Sequence, residues 1–209
     1  MTMSSVATTV KSLNVGRKDV IIGLEKVEEI AGHFGSVLRL LGLDTTDPSL
    51  SKTPERIAKM LLSFTTPFDA KAILSTEFDT VKEPQLVAQT GIPFDMLCEH
   101  HFMPAIGTAR IAYIPDEGRV VGLSKLARLV HCVGHERPSL QESINARIAD
   151  LIQEHMRPKG CIVILQAEHT CMTCRGVHTP GVATSTSIIK GLFRDNPYAK
   201  QEALSLLGF

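Results

Sequence analysis

The chain has 209 residues, 44% of them hydrophobic and 21% charged, the proportions of a soluble globular protein that buries a core without staples. Its 22 lysines and arginines balance 22 aspartates and glutamates, which excludes a global field that draws nucleic acid or membrane, so phosphate binding must come from local clusters. Five unevenly spaced cysteines exclude a disulfide framework and point to a reducing, cytosolic setting, and no apolar run reaches the length of a membrane span.

Residues 1–19, opening on a Ser- and Thr-rich stretch without the apolar run of a signal peptide, read as a flexible arm. Residues 20–67 read as a helical region. Val27, Ile30, Phe34, Val37, Leu38 and Leu41 recur at three- and four-residue steps, predicting a helix from about Gly23 to Leu43, closed by Gly42. After a polar loop, Thr53-Pro54 opens a second helix, with Thr53 as N-cap and Ile57, Met60, Leu61 and Phe64 on one face.

The texture changes after Pro67, and residues 68–209 read as the larger domain. Leu86 to Phe94 and Gly107 to Ile114 are predicted strands, the second stopped by Pro115. Helices are predicted over Leu123 to Val133 and over Ser139 to Met156, the latter with Ile144, Ile148, Leu151 and Ile152 inward. Cys161 to Gln166 is a continuous apolar strand expected to be buried on both faces, and Ala183 to Phe193 the last strand. Asn196-Pro197 starts a short terminal helix. Strand, strand, helix, helix, strand, strand is an α+β order with no crossover repeat.

The most informative run is Cys98-Glu99-His100-His101, answered by His169-Thr170-Cys171. Cys98 and His101 can reach one ion from a tight turn, and Cys171 adds a second thiolate. Three protein ligands leave zinc a position for water. Cys171 and Cys174 also form a Cys-x-x-Cys pair, so Cys98, His101, Cys171 and Cys174 offer a closed, inert four-ligand site as the rival. Against the rival, Glu99, His100 and His169 flank the ligands with groups that a structural site does not need and acid/base steps do.

Cations of phosphate-binding character are Lys125, Arg128, Arg175 and Arg56. Lys125 and Arg128 share a helix face beside the Ser124 hydroxyl, and Arg175 follows Cys171 by four residues, which keeps it near the metal. Taken singly, each of the others reads as a solvated surface charge rather than a phosphate ligand. Gln141-Glu142 suits the edge of a purine, although Ser139-Leu140-Gln141-Glu142 also spells a capping box in which Glu142 only caps its own helix. His33, His131, His135, His155 and His178 read as structural or surface residues, and Cys132 and Cys161 as buried.

In these motifs the chain resembles the GTP cyclohydrolase I family over roughly residues 23–207. The resemblance rests on Thr53-Pro54-Glu55-Arg56, Cys98-Glu99-His100-His101, Ile111-Ala112-Tyr113-Ile114-Pro115, Gly122-Leu123-Ser124-Lys125-Leu126-Ala127-Arg128, Gln141-Glu142, and His169-Thr170-Cys171-Met172 with Arg175-Gly176. It implies the tunnelling fold, a four-stranded antiparallel sheet with two helices on one side. It further implies zinc-dependent conversion of GTP to 7,8-dihydroneopterin triphosphate with release of formate, in a toroidal homodecamer with active sites between subunits. By motif position it implies zinc on Cys98, His101 and Cys171, triphosphate contacts on Lys125, Arg128, Arg175 and Arg56, guanine recognition on Gln141 and Glu142, proton transfer on His100 and His169, and a role for Ser124 in the ribose rearrangement.

The family commonly has Ser where this chain has Met96, Gln at Ser139 and Arg at Ser143, so base or phosphate affinity is expected to be softer. Two other readings stand beside the enzyme. One is a zinc-braced binding or scaffold protein. The other is a same-fold enzyme acting on another purine or pterin, such as the 7-deazaguanine nitrile reductases, which would use a thiol nucleophile without a metal cluster.

Overall fold

Strand pairing organises the larger part of the chain. A computed structural model describes residues 24–75, 77–79 and 86–209; the arm expected over residues 1–19 lies outside them, as does Gly23 at the predicted start of the first helix. The chain divides into two compact units between Thr66 and Pro67.

In the first unit, helix α1 (Leu24–Leu40) ends three residues before the predicted Leu43. Gly42, at φ +79°, takes the left-handed position that favours glycine. The Gly42 amide then donates to the Arg39 carbonyl and the Leu43 amide to that of Leu38, both at 3.0 Å. Helix α2 (Thr53–Ser63) departs from expectation at its start: Lys52 is the N-cap and no side chain caps the helix, so Thr53 is the first helical residue. An i,i+4 ion pair between Glu55 and Lys59, 2.5 Å, supports the first turns.

The second unit carries a four-stranded antiparallel sheet in the order β2-β3-β5-β6, made of β2 (Val87–Leu97), β3 (Pro104–Ile114), β5 (Gly160–His169) and β6 (Ala183–Gly191). Helices α4 (Leu123–Gly134) and α5 (Gln141–Met156) lie between β3 and β5 in sequence. They cover one sheet face: Leu129, Val130, Ile148 and Ile152 pack in one core with Phe94, Met96, Ile111, Val163 and Leu165. This is the α+β arrangement of the tunnelling fold.

Period-2 alternation explains why β5 reads as an unbroken apolar run. Val163 and Leu165 face α4 and α5, while Ile162 and Ile164 join a second cluster with Phe193, Ala203 and Leu207. That second cluster comes from α7 (Leu192–Asp195) and α8 (Pro197–Leu206), which cover part of the opposite face. Asn196 caps α8 by accepting from the Tyr198 and Ala199 amides, at 3.0 and 3.1 Å. The last strand is two residues shorter than predicted, because Leu192 and Phe193 begin α7.

Short elements escaped the periodicity: helix α3 (Ala70–Leu74), the ribbon of β1 (Glu77–Asp79) with β4 (Arg119–Val121), and helix α6 (Thr170–Thr173). Three to five residues carry too few apolar positions to show a period. No helix among the described residues is long and apolar enough to cross a membrane.

Candidate active site

The hairpin between β2 and β3 carries the first two predicted ligands, Cys98 and His101. Leu97 pairs with Pro104, and the Cys98 amide donates to the Met103 carbonyl at 2.9 Å. The Phe102 amide closes back on the Cys98 carbonyl at 2.8 Å, with Phe102 held at φ +53°. This turn places the His101 Nδ1 atom 4.0 Å from the Cys98 sulfur.

The third ligand arrives from the far side of β3. His169 ends β5 opposite Ala105, and the Thr170 hydroxyl donates to the Pro104 carbonyl at 2.6 Å, pinning the start of α6 to the hairpin. Cys171 therefore lands beside Cys98 and His101, the three ligand atoms lying within 4.8 Å of one another. Zinc bonds of about 2.3 Å to sulfur and about 2.05 Å to nitrogen, at tetrahedral angles, put those atoms about 3.6 Å apart. Two thiols and one imidazole at this spacing fit a zinc ion with small side-chain adjustments. Burial and then the adjacent Cys98 thiol push the Cys171 thiol above its ordinary range. A thiol that resists becoming an anion unaided is suited to a cation that neutralises it.

Cys174 does not join them. It is an exposed free thiol with the Thr173 hydroxyl 3.5 Å away, and it stands outside the group of three ligand atoms. The closed four-ligand arrangement is not formed.

A cavity of about 430 Å³ opens on the trio, and His100, Gln141, Glu142, His169 and Arg175 also line it. A larger cavity of about 550 Å³, lined by Glu136, Arg147 and Asp150 among others, contains none of the predicted ligands, so size does not mark the site. Ser143 faces that second cavity, and Met96 is fully buried in the core under α4 and α5. Of the three departures from the family pattern, Met96 and Ser143 do not line the cavity of the predicted ligands, whereas Ser139 lines both cavities.

Three relationships were not legible in the sequence. First, Ser139 does not cap α5: the N-cap is Leu140, with no side-chain bond, and the capping-box reading of Glu142 fails. Ser139 instead uses its backbone as a one-residue strand against the β2 edge, its amide donating to the Leu97 carbonyl at 3.0 Å and its carbonyl accepting from Glu99 at 3.2 Å. This bridge ties the ligand hairpin to the start of α5 and leaves the exposed Glu142 carboxylate on the cavity wall.

Second, Gln141 is buried and its amide group is engaged inside the fold. Its NH₂ faces the Leu165 and Thr184 carbonyls and the Thr186 hydroxyl, each at 3.1 Å. That fixes its oxygen toward His169 Nε2, 2.8 Å away, so Nε2 is the donor and Nδ1 becomes the lone-pair nitrogen of the neutral ring. The purine edge expected of Gln141 is thus replaced in this structure by a histidine.

Third, the Arg175 guanidinium lies 2.5 Å from His101 Nε2, the nitrogen remote from Cys98. Glu99 and His100 are exposed and 3.8 Å apart, and of the two only His100 lines the cavity. Ser124, Lys125 and Arg128 sit in the first turns of α4 and do not line this cavity. Arg56 belongs to α2 of the first unit.

Comparison with known proteins agrees with these motifs. Residues 30–208 match the family described as GTP cyclohydrolase I. A GTP cyclohydrolase 1 of Streptococcus agalactiae serotype V is 42% identical over 185 residues, covering 88% of this chain and 96% of that protein. One from Geobacillus kaustophilus is 45% identical over 173 residues, covering 82% and 91%. Among solved structures, the apo form of the archaeosine synthase QueF-Like aligns with a TM-score of 0.43 and 17% identity, over 53% of this chain and 97% of that one.

Proposed function

Since the chain belongs to the GTP cyclohydrolase I family of enzymes, we propose that it hydrolyses and rearranges GTP to 7,8-dihydroneopterin triphosphate, releasing formate, with zinc on Cys98, His101 and Cys171. The observation that carries this reading is the convergence of that ligand trio with His100, His169, Glu142 and Arg175 on one cavity.

When bound, zinc supplies the Lewis acidity that brings the pKa of a coordinated water to about 7. His169, its Nε2–H committed to Gln141, presents Nδ1 as the nitrogen that takes or returns a proton at the imidazole portion of guanine. His100, at the cavity mouth beside Glu99, is the second carrier. Glu142, free of any capping role, would accept from the guanine N1–H and exocyclic amine, a two-point contact that among the common nucleobases only guanine offers. With an ion held by His101 Nδ1, Nε2 would carry the hydrogen and would not accept from Arg175. That guanidinium is then available to phosphate.

Lys125, Arg128 and Ser124 stand outside this chain's cavity. If they hold the triphosphate and assist the ribose step, a neighbouring copy brings them, which fits the expected homodecamer. Arg56 remains a proposed phosphate contact. The five free thiols suit a cytosolic enzyme.

Incubating the zinc-loaded protein with GTP tests the reading: stoichiometric formate, and pterin fluorescence after oxidation, are expected. Zinc bound without either product would instead support a braced scaffold or an enzyme for another purine.

A further inference from the structure

His131 and His135 read from sequence as isolated residues, yet the fold brings them together with Asp95. His131 stands in the last turn of α4 and His135 is its C-cap, four residues on, so the two lie together at the end of the helix. Asp95 lies on β2, the edge strand against which α4 packs. His135 Nε2 is 2.7 Å from one Asp95 carboxylate oxygen, and His131 Nδ1 is 3.9 Å from the other. The ring centroids are 4.3 Å apart.

The approach is built into the backbone. Gly134 lies directly over β2, and a Cβ there would meet the Asp95 carbonyl oxygen at 2.4 Å. Any side chain at residue 134 would push the end of α4 away from Asp95. Glycine at this position lets both imidazoles reach down to the strand.

We propose that Asp95, His131 and His135 form a second metal centre, separate from the cysteine-containing trio, for a divalent first-row transition ion. Their ligand atoms already lie within 4.8 Å of one another. Two histidines four apart at the end of a helix, completed by a carboxylate from another element, form a donor set that zinc, cobalt and ferrous iron accept. Two imidazoles make calcium and magnesium poor occupants, since those ions favour oxygen donors. The side chain of His135 is only 9% exposed, while those of His131 and Asp95 are 28% and 38% exposed. The ion would therefore be anchored on a buried ring and reached from solvent on its other side, with coordination positions left for water. It would clamp the C-terminal end of α4 to the sheet edge three residues before Cys98.

Cobalt binding to the metal-stripped full-length protein tests this, because thiolate ligands give an intense charge-transfer band and a His/Asp site gives only weak d–d absorption. Wild-type protein should take up two equivalents of Co²⁺, and Cys171→Ala one, lacking the thiolate band. Adding Asp95→Asn or His131→Ala to Cys171→Ala should weaken the remaining binding at least about tenfold. In the otherwise wild-type chain, either change should remove one equivalent and keep the thiolate band, which also reports that the protein has folded. A single equivalent in wild type, no binding by Cys171→Ala, or binding indifferent to both Asp95→Asn and His131→Ala would overturn the proposal.

Discussion

The Nε2 atom of His169 lies 2.8 Å from the side-chain oxygen of Gln141, whose amide is anchored in turn on the Leu165 and Thr184 carbonyls. A buried glutamine thereby sets the tautomer and angle of a histidine on the cavity wall. Gln141→Leu should lower kcat about tenfold to hundredfold, the usual effect of losing a group that orients a reacting side chain, with little change in KM for GTP. It should also cost about 1–3 kcal/mol of stability, since buried polar groups lose their partners. Steady-state kinetics decide the role: a raised KM at constant kcat would show that Gln141 reads the base.

Cys171 and Cys174 are three residues apart but have different fates. Cys171→Ala should remove the thiolate-coordinated zinc and abolish formate release, whereas Cys174→Ala should keep both. Metal content measured beside turnover separates them. Loss of zinc from the Cys174 variant would restore the closed-site reading.

Glu142, exposed on the cavity wall, is expected to carry base specificity. Glu142→Gln keeps the shape and removes the charge. It should raise KM for GTP about tenfold or more, because a hydrogen bond to a charged group is worth about 1.5–3 kcal/mol. Melting temperature should stay close to wild type, as the carboxylate caps nothing. An unchanged KM would remove Glu142 from the substrate contacts.

Burial raises the Cys161 thiol from its ordinary 9.0 to about 11. An unfolded chain loses that proton near pH 9, and the folded chain holds it about two units longer. Between those values the native state binds more protons, so stability is complete below about pH 9 and falls as pH rises toward 11. The loss is about 2–3 kcal/mol at most. Urea unfolding at pH 8 and 10.5 should show the decline, and it should be shallower in Cys161→Ala. The Tyr113 hydroxyl, also raised by burial, adds to the decline at still higher pH.

Much of the molecule was legible because its long elements repeat. The α1 helix, the two-faced β5 strand and the inward Ile144, Ile148, Leu151 and Ile152 each announce themselves through a period that burial imposes. The Cys98 and His101 pair was legible for a similar reason: both lie within one turn, where spacing along the chain nearly fixes spacing in space. Ser139 misled because a capping box and an edge-strand bridge draw on the same residues, and only the β2 edge next to it decides between them.

The sequence alone determined the order of the long elements, the core positions and a turn that brings Cys98 and His101 together, since these follow from contacts among near neighbours. The tertiary structure agreed with the motifs in leaving Cys174 outside the trio, and it alone decided that Gln141 serves His169 and that Asp95 meets His131 and His135. Each of those depends on which strand lies beside which and how closely a helix approaches the sheet. Such distances come from packing the whole domain, and no local pattern of residues encodes them.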